Sequence, residues 1–127
     1  MTELERLVDQ YCEGWSCPSA EAREALIRGS LTDDATYTDP RADHLNVSQL
    51  LDHIARIQDS RPGARIVRTS AVDSHHGLAR FHWHVVLPDG TTLPEGIDVI
   101  ELSADGGRIR HIVGFFGPLG DRPTADA

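Results

Sequence analysis

Thr32-Asp33-Asp34-Ala35-Thr36-Tyr37-Thr38-Asp39-Pro40 decides how this chain is organised. The alternation over Ala35–Thr38 predicts a short strand, and Asp39-Pro40 ends it. Proline has a fixed φ and no N–H to give a ladder, so the chain must turn there. Asp39 therefore stands where an extended segment stops. A second carboxylate, Asp98, lies inside a later strand pattern between Ile97 and Val99-Ile100. Tyr11 lies upstream on the apolar stripe of a helix. A phenol and two carboxylates gathered into one apolar cavity would make an acid/base site.

Upstream of this strand the period is helical. Thr2 with Glu5 reads as a capping box. Leu4, Leu7, Val8, Tyr11 and Trp15 then follow as one stripe. Ser16-Cys17-Pro18-Ser19 breaks the helix, and Ser19 caps a second one through Ala22, Ala25, Leu26 and Ile27, with Gly29 as its stop. Downstream, Pro40–Leu45 reads as a polar loop. Asn46 with Gln49 opens a third helix, whose stripe is Val47, Leu50, Leu51, Ile54 and Ile57, and Arg61-Pro62-Gly63 ends it. From Ala64 the period becomes two. Strands are expected at Arg65–Arg68, Leu78–Leu87, Ile97–Leu102 and Arg108–Phe116, with a turn signal at Pro88-Asp89-Gly90. Helices first and an antiparallel meander last argue an α+β fold: three N-terminal helices packed on a curved antiparallel sheet.

Composition limits the function. The 127 residues carry 12 Lys+Arg against 20 Asp+Glu, a net charge of −8. Nucleic acid and anionic membrane both need a basic face, so neither is expected as a partner. No apolar run approaches the roughly 18 residues of a membrane span. The acidic, amphipathic N-terminus does not read as a secretory signal, and a cytoplasmic location is expected. Cys12 and Cys17 are too few for a disulfide framework and match no metal knuckle, so reduced thiols are the expectation.

With these elements in place, the chain resembles the nuclear transport factor 2-like superfamily, the cone-shaped α+β barrel also called cystatin-like, which includes SnoaL-like polyketide cyclases and ketosteroid isomerase. Asp33-Asp34-Ala35-Thr36-x-x-Asp39-Pro40 resembles the isomerase segment that ends in the catalytic base. Tyr11 falls at that family's oxyanion-hole tyrosine if the Trp15–Ser19 loop is a few residues longer here. Ile97-Asp98 falls at its second donor, a protonated Asp, and Phe115-Phe116-Gly117 matches its closing strand. The resemblance implies a single SnoaL-like domain over residues 1–117, followed by a flexible tail over 118–127. It implies isomerase or cyclase-type lyase chemistry without a cofactor or metal, on a small hydrophobic carbonyl compound. Asp39 would be the base and Tyr11 and Asp98 the oxyanion donors; in a cyclase, Asp98 would itself be the general acid/base.

Trp15, Tyr37, His53, His82, His84 and Phe116 are expected to line the substrate site. His82 and His84 share one face of their strand, and Phe81, Trp83 and Val85 share the other. The sequence leaves open which face is inward, because one bulge reverses the parity. Imidazoles in the cavity would make it more polar than a steroid requires. Other readings of the same residues stay open. Tyr11 could be a core tyrosine, Asp39 could pin the turn at Pro40, and Asp98 could face solvent. The fold could also serve as a non-catalytic binding or association module, or as a dehydratase or epoxide hydrolase using His53 or His82. Late strands apolar on both faces point to a homodimer.

Overall fold

The computed structural model describes residues 1–124. Helix α1 (Glu3–Ser16) starts on the expected capping box: Thr2 Oγ1 accepts the Glu5 N–H, and the Glu5 carboxylate accepts the Thr2 N–H. Ser19 caps α2 (Ala20–Ser30) by accepting the Ala22 N–H. This helix passes the expected stop at Gly29, and Leu31 is its C-cap. Asn46 and Gln49 make a second capping box at the start of α3 (Val47–Ser60). The strands are β1 (Leu31–Asp39), β2 (Ala42–Leu45), β3 (Arg65–Arg68), β4 (Asp73–His75), β5 (Leu78–Val86), β6 (Gly96–Leu102) and β7 (Ile109–Phe115).

These strands form one seven-stranded sheet in the order β2-β1-β7-β6-β5-β3, with β4 also on β5. The sheet is mixed rather than wholly antiparallel, because β1 runs parallel to β7. This corrects the simple meander: the helix-rich half of the chain supplies β1, which adds alongside the last strand. Two short strands were not expected. Ala42–Leu45 reads as loop, yet it folds back on β1 with Tyr37 opposite Leu45. Asp73–His75 is fully exposed and has no apolar alternation to reveal it. Beyond Phe115 the described chain has no regular structure. The expected tail 118–127 is described only as far as Thr124, and residues 125–127 lie outside the described residues.

The helices pack on one face of the sheet. Val8, Ile27, Leu50, Ile54, Phe81, Ile100, Ile109 and Ile112 are almost wholly buried. Each large aliphatic or aromatic side chain buried there stabilises the fold by roughly 1.5–3 kcal/mol. Two polar ties fix α1 against the rest. Ser16 Oγ accepts the Ile66 N–H at 2.9 Å, and the buried Gln58 amide donates to the carbonyls of Trp15 and Ala64, both at 2.9 Å. These ties hold the Trp15 end of α1 over the wide end of the sheet, where the packed core gives way to a cavity. The described residues contain no helix long and apolar enough to cross a membrane, and both cysteines are free.

Candidate active site

A cavity of about 150 Å³ opens between α1, α3 and the concave face of the sheet. Tyr11, Trp15, Tyr37, Asp39, His53, Asp98 and Phe116, seven of the nine residues singled out from the sequence, line it. His82 and His84 do not. The β5–β6 ladder runs from Leu78↔Glu101 to Trp83↔Gly96 without a bulge, and Phe81 pairs with Asp98. Paired residues share a face, so Phe81, Trp83 and Val85 point inward with Asp98, and His82 and His84 point out. His82 instead sits 3.4 Å from Glu95 on the exposed side. The cavity is therefore more apolar than two imidazoles would have made it.

Asp39 is held by the turn it starts. Its Oδ1 accepts the Arg41 backbone N–H at 2.7 Å, the arrangement by which Asp closes a turn on its own backbone. Its Oδ2 accepts the Tyr37 hydroxyl at 2.6 Å. A carboxylate offers about four acceptor positions, so two bonds leave it able to take a proton. The turn role and a site role thus coexist in one side chain. His53 Nε2 lies 3.8 Å from Asp39 Oδ2, too long for a hydrogen bond. Burial holds the His53 imidazole below its ordinary range, against the opposing pull of the Asp39 charge.

Asp98 is in a different environment. Burial raises its carboxyl from the ordinary 3.8 to about 7, the Trp83 hydrogen bond lowers it, and the Asp39 charge raises it. Trp83 Nε1 donates to Asp98 Oδ1 at 2.9 Å. This fixes the carboxyl and leaves Oδ2 to carry the proton. Trp83 was not singled out from the sequence, because its role depended on the unresolved parity of β5. Gly114 was also missed. It is the β7 partner of Asp98, and a Cβ placed there would lie 2.8 Å from Asp98 Oδ1 and 3.7 Å from Asp39 Cβ. The missing side chain lets two carboxyl groups flank one strand. A glycine inside an otherwise apolar strand was the available signal.

Two donors complete the cavity. Tyr11 Oη and Trp15 Nε1 are buried and have no hydrogen-bond partner among the described residues. The indole N–H eases the Tyr11 phenol slightly, but the two do not reach hydrogen-bond geometry. Burial, followed by the Asp98 charge, holds that phenol well above its ordinary range, so it stays protonated. Burial does the same for Tyr37, which remains the donor to Asp39. An unsatisfied buried donor costs about 1–3 kcal/mol. Two of them on one cavity favour a ligand that brings an oxygen. No group of three metal-ligating side chains is placed to hold an ion among the described residues.

The architecture matches solved structures closely. A SnoaL-like family protein from Agrobacterium tumefaciens str. C58, proposed to be an isomerase, superposes with a TM-score of 0.81 at 29% identity, over 91% of this chain and 97% of that one. The fold is that of the nuclear transport factor 2-like superfamily. A proposed SnoaL-like polyketide cyclase from Jannaschia sp. CCS1 matches at TM-score 0.69 and 14% identity, over 89% of this chain and 84% of that one. A proposed ketosteroid isomerase from Kribbella flavida DSM 17836 matches at 0.64 and 17%, over 97% and 84%. At those identities the last two speak for the fold alone, and other neighbours with nuclear transport factor 2-like or cystatin-like folds are described as of unknown function. No family model and no curated protein matches the sequence.

Proposed function

We propose that this chain catalyses cofactor-independent proton transfer on a small hydrophobic carbonyl compound, as an isomerase or an aldol-type cyclase working in the cytoplasm. One observation carries the reading. A bonded but unsaturated carboxylate, Asp39, shares an apolar cavity with a buried phenol lacking a partner, Tyr11, and with a carboxylic acid raised to about 7, Asp98. Asp39 takes the proton from the carbon beside the carbonyl, and the electron pair moves to the carbonyl oxygen. Tyr11 and neutral Asp98 donate hydrogen bonds to that oxygen without adding charge to the cavity. Returning the proton to a different carbon is isomerisation. Attack of the enolate carbon on a second carbonyl of the same molecule, with protonation of the new alkoxide, is cyclisation. A chamber of about 150 Å³ takes a single six-membered ring, since an engineered apolar cavity of that size binds benzene.

The test follows conversion of cyclohex-3-enone to its conjugated isomer by ultraviolet absorbance. Asp39→Asn keeps the size of the side chain but removes the base, and turnover should fall below detection with the melting temperature little changed. His53→Gln should cost less than about tenfold, because the imidazole 3.8 Å from Asp39 makes no hydrogen bond that positions the base. The reverse ranking would transfer the base role to His53 and favour the dehydratase-type reading. Absence of turnover in wild type, with phenols still binding the cavity, would favour a ligand-binding module.

A further inference from the structure

The cavity opens past Arg41 and Phe116, both of them exposed. It shares Trp15, Arg41, Ile57, Ile66, Trp83 and Phe116 with an outer chamber of about 430 Å³. Arg61, Gln58, Ser60, Leu93 and Pro94 also line that chamber, and among the described residues no Asp or Glu does. This contrasts with a chain that carries 20 acidic residues against 12 basic ones. The polar groups of Gln58 and Ser60 are already engaged: the Gln58 amide N–H groups donate to Trp15 and Ala64, and the Ser60 hydroxyl donates to Ile57. The two guanidinium groups are not. Among the described residues, the arginine ion pairs are Arg28–Glu24, Arg68–Asp9, Arg80–Asp73 and Arg110–Glu101, none at this mouth. Arg41 rests its guanidinium 5.9 Å from the Phe116 ring centroid, which holds it over the passage between the two chambers. Its own backbone N–H holds Asp39, so one residue joins the floor of the site to its rim.

We infer that the substrate is an anion: a carbonyl compound whose reacting end fills the inner chamber and whose far end carries a carboxylate held by Arg41 and Arg61. Arg41 and Arg61 are exposed, so they stay hydrated beside a neutral ligand and gain no partner from it. A carboxylate there is met by planar guanidinium donors suited to it. It would also fix which end of the molecule enters, placing the carbonyl rather than the acid against Tyr11 and Asp98. The inference rests on the proposed proton-transfer reading, because it takes that cavity as the seat of the reacting carbonyl.

Three phenols test it, since a phenol hydroxyl mimics the enolate oxygen. They are 3-(4-hydroxyphenyl)propanoate, its neutral primary amide, and 4-ethylphenol, each titrated calorimetrically against wild type, Arg41→Gln, Arg61→Gln and the double variant. Arg41→Gln retains the backbone N–H to Asp39. Wild type should bind the carboxylate about fivefold or more tightly than the amide at low salt. That margin should shrink in high salt and vanish in the double variant, and 4-ethylphenol should compete with both. Equal binding of acid and amide, or a margin that survives the double substitution, overturns the inference while 4-ethylphenol binding leaves the cavity reading standing. If none of the three phenols binds, the cavity reading fails and the inference with it.

Discussion

At Asp98, burial and a hydrogen bond pull in opposite directions, and burial wins: its carboxyl is raised from 3.8 to about 7 despite the Trp83 N–H. The native state therefore holds this proton more tightly than the unfolded chain does. Its contribution to stability is fully present below about pH 4 and is lost as pH rises through about 7. Asp98→Asn keeps an oxygen for Trp83 and cannot ionise. It should be more stable than wild type at pH 8, by at most about 4 kcal/mol in chemical denaturation, and show no such advantage at pH 3.5. Activity should follow the same proton. With Asp98 as a neutral donor, turnover falls above about pH 7, and in Asp98→Asn that alkaline limb should disappear while substantial turnover remains. Trp83→Phe removes the bond that lowers the carboxyl, so the limb should move to higher pH. A pH profile of the two variants that overlays wild type would take Asp98 out of the reaction. Burial, and after it the Asp98 charge, also holds the Cys12 thiol up, so that thiol stays protonated and inert.

At the scale of the element, β7 is where the site depends on an absence. Gly114 separates the two carboxyl-bearing strands, and Gly114→Ala would press a methyl to 2.8 Å from Asp98 Oδ1, closer than side chains tolerate. The strand must shift or Asp98 must leave Trp83. Overpacking of this kind costs typically 1–3 kcal/mol. Gly114→Ala should therefore lose at least tenfold in turnover while remaining folded by circular dichroism, and unchanged turnover would show that the carboxyl positions are not tightly set. Gly96 acts similarly for Trp83, whose ring would lie 2.5 Å from a Cβ there. These elements also mark what the sequence made legible. The capping boxes at Thr2 and Asn46, the helical stripes and the Asp39-Pro40 stop are local chemistry, and the helices and the Asp39 turn follow from them. Tyr11, Asp39 and Asp98 could be grouped because each lies on an apolar face or at a strand end. The inward face of β5 was not legible, since parity is fixed by a ladder to a distant strand rather than by residues 78–86. Trp83 was missed and His82 and His84 were misplaced for that one reason. The parallel pairing of β1 with β7 joins segments some 75 residues apart, and no local pattern encodes it. Arg41 reads as an ordinary loop cation until the turn places it at the cavity mouth.

At the scale of the molecule, the inward turn of Phe81, Trp83 and Val85 moves the question of what covers the outer sheet face onto β6 and β7. Ile97, Val99, Val113 and Phe115 point outward there in registered pairs, Ile97 with Phe115 and Val99 with Val113. Phe115 is 56% exposed and Val99 38%. Leu78, next along on β5, adds to the patch. Around it stand both signs of charge: Arg80 paired to Asp73, and Arg110 to Glu101. An apolar centre with a rim of mixed charge is self-complementary under a two-fold axis, which can set each cation against the partner's acid. A membrane or a strongly charged partner would find no matching field on a face of mixed sign. We therefore expect a homodimer through this face, with the cavities opening on the far side of each subunit and left free for substrate. Sedimentation at tens of micromolar should give twice the chain mass for wild type. Val99→Arg combined with Phe115→Arg should give a monomer that keeps its helical and sheet content and still binds 4-ethylphenol. A wild-type monomer at that concentration would refute the dimer, and a dimer that survives both arginines would place its interface elsewhere on the molecule.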